Sequence, residues 1–293
     1  MGQGYGNRCC RLVEENTDAL PNLRKARFDG YGDGMASDKD PSTVDPDVLA
    51  YDPNEASAAG YFDRDIEEIL DLFETDEALK QGALSEKPSV TFRSGASYKG
   101  QWRGSKREGF GVQRWPDGAV YEGSWYDNAA SGDGRFIHAS GDVYIGQWRR
   151  NIANGRGNYL SKDSTLYEGT WQDDLQEGYG VEYRSDGSRY EGAFKAGRKD
   201  GSGIYFWPDG STYQGEWFAG VLNGLGTFMC SDGHSTRGTF SEGKLHGMVK
   251  YSYQDGRQYA GQYKNNVKDG FGVMFLPHGK TQRGYWREGK SVH

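Results

Sequence analysis

The residue types that most often carry enzymatic chemistry are scattered through this chain. Its five histidines are His138, His234, His246, His278 and His293. None is spaced with a serine, cysteine or aspartate in a way that predicts a catalytic dyad or triad. Paired carboxylates such as Asp173-Asp174 lie between predicted strands and are typical of a solvated loop. We therefore predict no catalytic residues.

The sequence also predicts no metal site and no cofactor. The three cysteines, Cys9, Cys10 and Cys230, form no Cys-x-x-Cys pair of the kind that binds zinc. Gly-x-Gly motifs recur along the chain, but none opens a Gly-x-Gly-x-x-Gly loop leading into a helix, as nucleotide binding requires. An enzyme is the least favoured interpretation.

Gly2 and the adjacent pair Cys9 and Cys10 are residue types that acyl chains modify. A glycine at position 2 can accept a myristoyl chain, and nearby cysteines can accept palmitoyl chains. One myristoyl chain gives only marginal membrane binding, and a second lipid makes the attachment stable. The usual signature has Ser or Thr where Gly6 stands. We predict a lipid-anchor segment at residues 1–11; the alternative is a flexible tail with two free thiols.

Residues 12–58 are predicted to form a disordered linker, because Pro, Asp, Ser, Gly and Ala predominate there over bulky apolar residues. Charge is distributed unevenly along the chain. Residues 1–90 carry a net charge of −11 and the remainder +4, against −7 for the whole chain. A small positive excess spread over two-thirds of the chain is too dilute for a nucleic-acid surface. We predict no nucleic-acid partner.

Residues 59–82 are predicted to form an amphipathic helix. Its apolar residues fall on one face: Phe62, Ile66, Ile69, Leu70 and Phe73. The other face is strongly acidic, so an anionic membrane would repel it. Two interpretations remain open. The favoured one has the helix covering the first edge of the following sheet, since exposed edges need capping; the other has it docking into a groove of a partner.

From Gly95 to Trp286 the sequence repeats every 23 residues without insertion or deletion. One marker is Tyr-x-Gly-x-Trp, which begins at Tyr98 and keeps step to a degenerate ninth copy. A second marker, Gly-x-Gly, begins at Gly109. The departures from these markers are Thr236, Val249, Tyr263 and Gln282. A fixed period of this length indicates a linear array of one structural unit.

Each repeat has the pattern of a β-hairpin. Asp-Gly or a related pair stands midway between two short alternating runs, and the turn glycine recurs in every copy except at Ser164. Along the second strand, Tyr, Gly and Trp share one face. On the first strand, both glycines share a face with the residue two positions further on, which we call the third position: Gln113, Phe136, Tyr159, Glu182, Tyr205, Phe228, Tyr251 and Met274. The glycines leave room for rings to lie across the backbone.

These columns, in register over two-thirds of the chain, resemble the MORN repeat family (membrane occupation and recognition nexus). The resemblance implies an all-β fold: an elongated, single-layer antiparallel sheet of stacked 23-residue hairpins with a groove along one face. We assign residues 90–293 to this array, as eight repeats and a terminal half repeat. A short helix and a disordered N-terminal tail would precede it. MORN arrays commonly serve as protein-binding platforms or as scaffolds at membranes and the cytoskeleton.

The leading functional interpretation is a lipid-anchored scaffold on the cytoplasmic face of a membrane, either the plasma membrane or a cortical system. Its groove would bind a helix or an extended peptide of a protein partner. Aromatic residues of the first six repeats would be the anchors: Tyr98, Trp102, Tyr121, Trp125, Tyr144, Trp148, Tyr167, Trp171, Tyr190, Phe194, Tyr213 and Trp217. The alternatives are an array that binds phospholipid directly and a membrane-skeleton protein that assembles through its repeats as a homo-oligomer.

Overall fold

The computed structural model describes four stretches of the chain: residues 58–62, 65–66, 68–69 and 82–292. The predicted lipid anchor at 1–11 and nearly all of the predicted linker at 12–58 lie outside the described residues. So does most of the predicted helix at 59–82. Within the described part of the chain, no helix is long and apolar enough to cross a membrane.

Strands dominate the described residues. One short helix, α1 (Ala59–Phe62), precedes them, and a 3-10 turn at Pro277–Gly279 interrupts the last full repeat. The prediction of an all-β fold made from an open antiparallel sheet of hairpins is confirmed. The strands are β1 (Ser85–Glu86), β2 (Val90–Thr91), β3 (Ser97–Arg103), β4 (Lys106–Arg114), β5 (Val120–Tyr126), β6 (Ala129–Ile137), β7 (Val143–Arg149), β8 (Ile152–Leu160), β9 (Leu166–Gln172), β10 (Leu175–Tyr183), β11 (Arg189–Lys195), β12 (Arg198–Phe206), β13 (Thr212–Phe218), β14 (Val221–Met229), β15 (Ser235–Ser241), β16 (Lys244–Ser252), β17 (Gln258–Lys264), β18 (Val267–Phe275), β19 (Thr281–Arg287) and β20 (Lys290–Val292).

The described residues divide into two compact units. The N-terminal unit lies within residues 51–183 and 194–197, and contains α1 and β1 to β10. The C-terminal unit lies within residues 184–193 and 198–293, and contains β12 to β20. Strand β11 spans the division.

The hairpin turn inside each repeat forms at the predicted Asp-Gly position. In the first repeat, Gly118 N donates to Trp115 O at 3.0 Å, and Trp115 N donates to Ala119 O at 3.0 Å. Gly118 has a φ of 97°, a left-handed conformation that glycine adopts without steric cost. Ser164, the one residue that replaces this glycine, is held in the same region with a φ of 70°.

A different turn joins each Tyr-x-Gly-x-Trp strand to the Gly-x-Gly strand that follows it. Between β7 and β8, Arg150 and Asn151 both have positive φ, at 49° and 70°, which is the geometry of a type I′ hairpin turn. Asn151 N donates to Ala130 O at 3.0 Å, and Asn151 Oδ1 accepts from Ala130 N at 2.7 Å. This pair of bonds ties the turn to the repeat before it. The same pair joins Asn128 to Arg107, Asp174 to Ala153 and Asn266 to Leu245.

The two glycines of Gly-x-Gly are needed for different reasons. In β6, Gly132 lies in a bulge where the register shifts, and its φ is 95°. Gly134 pairs with Gly123 across the strands, and a Cβ on Gly134 would lie 2.7 Å from Cζ of Tyr121. The prediction that glycine makes room for a ring is therefore confirmed for the second glycine. The first glycine instead supplies a backbone conformation.

In repeat seven, different residues replace the tyrosine and the glycine that pack against each other in the other repeats. In every other full repeat, the tyrosine lies over the glycine 13 positions later, as Tyr213 lies over Gly226. Thr236 replaces that tyrosine and Val249 replaces that glycine, and both are 3% exposed. The valine side chain therefore occupies space that a tyrosine ring fills elsewhere. The two departures are one complementary change.

Candidate functional site

The aromatic residues of the repeats pack edge to face into a continuous row within each unit. In the N-terminal unit, the Tyr121 ring contacts Trp125 of its own repeat at 5.1 Å and Trp148 of the next repeat at 5.4 Å. In the C-terminal unit, Tyr213 contacts Trp217 at 5.5 Å and Phe240 at 5.1 Å. In the first six repeats, the tyrosine hydroxyl donates to a backbone carbonyl three residues on, as Tyr121 does to Ser124 O at 2.9 Å.

The twelve predicted groove residues are buried by this packing. All of them are between 0% and 8% exposed: Tyr98, Trp102, Tyr121, Trp125, Tyr144, Trp148, Tyr167, Trp171, Tyr190, Phe194, Tyr213 and Trp217. They form the core of the array, because the rings of neighbouring repeats cover each other. A partner can reach only the outer surface of this row.

Part of that outer surface is covered by α1. The Phe62 ring is 0% exposed and is enclosed by five rings of the first three repeats, with four of the five contacts edge to face. We call these five residues the aromatic cage. Their centroid distances to Phe62 are 5.4 Å for Trp115, 5.2 Å for Tyr121, 5.7 Å for Trp125, 6.1 Å for Phe136 and 5.9 Å for Trp148.

Tyr61 lies at the rim of the cage. Its carbonyl oxygen accepts a hydrogen bond of 3.0 Å from Trp115 Nε1. Its ring contacts Phe136 edge to face at 5.4 Å, and its hydroxyl lies 3.4 Å from His138 Nε2. Backbone and side chain of this residue therefore both bind the array.

A buried carboxylate accompanies the two rings. Asp65 is 1% exposed; its Oδ1 accepts from Ser94 Oγ at 2.6 Å and its Oδ2 accepts from Gln113 Nε2 at 2.9 Å. Gln113 Oε1 in turn accepts from Arg107 Nη1. The Arg107 guanidinium lies 4.3 Å from the Trp125 ring centroid and also donates to Asn128 O at 2.8 Å. Charge-assisted bonds of this kind compensate a carboxylate for leaving water.

The docked segment continues beyond Asp65. Ile69 is fully buried, and Glu68 Oε2 accepts from Arg93 N at 2.6 Å. At the other end, Ala58 borders a small open pocket over the second, third and fourth repeats. That pocket is also lined by Phe136, His138, Tyr144, Trp148, Tyr159 and Trp171. The described residues 58–69 thus lie along the row of rings.

Different parts of the chain cover the edge of the sheet and its aromatic face. The edge strand β3 is covered by β1 and β2, which pair with it directly. The described part of segment 59–82 lies on the aromatic face instead. A sheet edge offers backbone hydrogen bonds, whereas Tyr61 and Phe62 offer rings, and the rings find apolar surface on the face.

The first repeat has no aromatic ring at the third position, which leaves room for Phe62. Gln113 stands where five of the other seven repeats have an aromatic residue. In the C-terminal unit, Tyr205 at that position packs on Trp207 at 4.6 Å and on Trp217 at 6.0 Å. It fills the place that Phe62 takes in the N-terminal unit. The missing ring at Gln113 was visible in the sequence and is the signal that could have predicted the site.

Burial also keeps the tyrosine hydroxyls of the aromatic row protonated. Desolvation raises the pKa of Tyr98 and Tyr121 well above the ordinary tyrosine value, and in Tyr98 the nearby Arg107 opposes that shift. Both hydroxyls therefore stay neutral donors near pH 7. Among the described residues, no group of three or more His, Cys, Asp or Glu side chains could hold a metal ion.

A protein-family model described as MORN repeat matches eight consecutive segments of this chain. Together they cover more than half of it: residues 98–120, 121–143, 144–165, 167–189, 190–212, 213–235, 237–256 and 259–280. The chain belongs to the MORN repeat family. The eight matches fall on the eight full repeats read from the sequence, and β19 and β20 form the half repeat after them.

No curated protein sequence matches this MORN protein. Among solved structures, it is similar to the wild-type TCP10 domain of Danio rerio CPAP, with 15% identity, a TM-score of 0.34, and coverage of 68% of this chain and 100% of that one. It is also similar to the SAS-4 (dCPAP) TCP domain of Drosophila melanogaster in complex with a proline-rich motif of Ana2 (dSTIL). There the identity is 14%, the TM-score 0.26, and the coverage 71% and 99%. Similarity at this level carries no argument about function.

The predicted acylation sites Gly2, Cys9 and Cys10 lie outside the described residues, so their modification stays a prediction. Of the predicted groove residues, Tyr121, Trp125 and Trp148 come together in the cage. The cage residues Trp115 and Phe136 and the carboxylate-binding Gln113 were not among the predicted anchors.

Proposed function

We propose that this MORN protein is a non-enzymatic scaffold, tethered to a membrane by its N-terminus, that binds a protein partner on the aromatic face of its array. The observation that carries the proposal is the docked segment 58–69. The face of the first three repeats buries two rings and a carboxylate from outside the repeats, so it has the shape and chemistry to hold a peptide.

The chemistry of this face favours a peptide over a lipid surface. Phe62 is enclosed by rings on several sides, and a backbone carbonyl and a carboxylate each have a dedicated donor. Helix-in-groove recognition uses such spaced anchors. A bilayer would instead be met by exposed apolar and basic residues, because the charge attraction is to anionic headgroups.

The membrane tether rests on Gly2, Cys9 and Cys10. Two or three acyl chains would hold the protein on the cytoplasmic face of a membrane, such as the plasma membrane or a cortical system, because stable anchoring needs more than one lipid. The array would then be presented to partners at that surface.

The test compares the wild type with a G2A/C9S/C10S variant by membrane flotation and by chemical crosslinking. We expect the wild type to float with membranes and the variant to stay in the soluble fraction, while both crosslink to the same protein. Gly4→Ala is the matched control, since it changes a neighbouring glycine that accepts no acyl chain. A triple variant that still floats would contradict the lipid anchor.

The G2A/C9S/C10S variant also distinguishes a lipid-anchored scaffold from an array whose repeats bind phospholipid directly. If it sediments with phosphatidylserine vesicles, and the sedimentation weakens as salt is raised, the repeats themselves bind phospholipid. Concentration-dependent assembly of the variant in sedimentation velocity would point to the membrane-skeleton alternative.

A further inference from the structure

We propose that the aromatic cage is a peptide-recognition site whose resident ligand is the chain's own segment 58–69, and that a partner binds there by displacing it. The partner peptide would carry an aromatic side chain followed, three residues later, by a carboxylate, as Phe62 is followed by Asp65. The inference rests on the proposed function and names the site and the ligand chemistry.

The aromatic cage sets two separate requirements on its ligand: an aromatic ring and a carboxylate. The ring requirement is set by the five aromatic residues around Phe62, which bury it completely. The carboxylate requirement is set by Ser94 and Gln113, whose donors lie 2.6 and 2.9 Å from the two oxygens of Asp65. Arg107 contributes positive charge through Gln113. An aromatic residue without the carboxylate would leave Gln113 Nε2 and Ser94 Oγ unsatisfied, which is costly in a buried site.

The repeats show that this cage is specialised. Tyr205 in the C-terminal unit packs on Trp207 and Trp217 and fills its own cage from within the repeat. The first repeat omits that ring at Gln113 and introduces the buried guanidinium of Arg107. Both departures serve a ligand from outside the repeat, and both contact or adjoin Asp65.

The chain's own segment competes with a free peptide for the aromatic cage, because it is covalently joined to the array. Residues 70–81 connect Ile69 to the described chain at Gly82. Because the ligand belongs to the same chain as the cage, its binding is intramolecular, which gives it a high effective concentration at the cage. A free peptide must outcompete that concentration, so its apparent affinity for the wild-type chain is lower than for a chain whose own segment cannot bind.

The experiment uses the full-length chain and a fluorescein-labelled synthetic peptide copying residues 56–71. Anisotropy titrations compare the wild type with F62A/D65N, which disables the tethered ligand and leaves the cage intact. We expect the variant to bind the peptide at least tenfold more tightly than the wild type. A peptide with Phe62→Ala should not bind, and one with Asp65→Asn should bind more weakly.

A second substitution fills the cage with a side chain of the array itself. Gln113→Tyr, added to F62A/D65N, restores the ring that other repeats carry, and we expect it to abolish peptide binding. Glu182→Tyr is the matched control, because it places the same ring at the third position of the fourth repeat, away from the cage. Circular dichroism checks that each variant is folded, and Phe62→Leu with D65N replaces F62A/D65N if that variant is not.

Two results would overturn the proposal. One is equal affinity of the wild type and F62A/D65N for the peptide, which would show that the tethered segment does not compete. The other is absence of peptide binding to the folded F62A/D65N variant. The proposed function is tested separately: a partner that crosslinks equally to wild type and Gln113→Tyr leaves the scaffold in place and moves its site elsewhere.

Discussion

The fit between Tyr213 and Gly226 predicts a strong energetic coupling between the two positions. In Gly226→Val, the new Cβ would overlap the tyrosine hydroxyl and lie 2.5 Å from Cζ, so the ring must leave. It then loses its hydrogen bond to Glu216 O and its contacts with Trp217 and Phe240. At about 1 kcal/mol for the bond and about 0.5–1.5 kcal/mol for each ring pair, the loss is about 2–4 kcal/mol.

The converse change leaves a hole. Tyr213→Thr removes a fully buried ring, which costs about 3–5 kcal/mol. If the two effects were independent, the double variant would lose roughly 5–9 kcal/mol. The chain already contains the double replacement at Thr236 and Val249, where a valine fills the space of the ring. We therefore expect the double variant to lose only about 2–3 kcal/mol, a coupling of about 2 kcal/mol or more.

The assay is urea unfolding followed by hydrogen exchange of the affected repeats. Repeat arrays do not unfold as one unit, so local exchange is needed beside the fluorescence midpoint. Thr236→Tyr with Val249→Gly, which restores the common pair in repeat seven, is the reciprocal control and should be tolerated. Additive losses in the Tyr213/Gly226 double variant would refute the argument that ring and glycine fit each other.

Three further changes test the turns and the buried hydroxyls. Ser164→Gly should raise the thermal midpoint, since a non-glycine residue pays about 1 kcal/mol for its left-handed conformation; a lower midpoint would contradict this. Asn151→Ala should cost about 2 kcal/mol in urea unfolding, from the lost bond to Ala130 and the strained φ, and Asn151→Gly about half of that. Burial raises the pKa of Tyr259 to about 12, so the unfolded chain ionises first, and stability should fall as pH rises from about 10 towards 12. A urea midpoint constant over that window would count against the burial.

The repeat, the hairpin and the sharing of faces were predictable from the sequence, because each depends on local spacing. The position of Asp-Gly sets the turn, and the alternation of Tyr, Gly and Trp sets the face. The type I′ turn after the Tyr-x-Gly-x-Trp strand was also readable at pairs such as Asn265-Asn266, where two residues that tolerate positive φ stand together.

The solvent exposure of the aromatic side chains was not predictable from local spacing. Sequence places Tyr121 and Trp125 on one face but does not say whether a one-layer sheet leaves that face open. The structure shows that the aromatic rings of the first three repeats bury each other and still leave a surface on which Phe62 packs. The docking of α1 depended on a contact between distant residues, for which Gln113 was the only local sign.

Paired bonds to the preceding repeat limit how such a chain can change in length. They are present at four of the type I′ turns, those containing Asn128, Asn151, Asp174 and Asn266. Each pair joins residues 21 positions apart, and successive pairs recur at the repeat period. Losing one residue within a repeat would misalign the pair there and turn the following side chains to the opposite face. Removing all 23 residues of one repeat would leave every remaining pair in register. A family built this way is expected to vary in length by whole repeats, while point insertions gather outside the array.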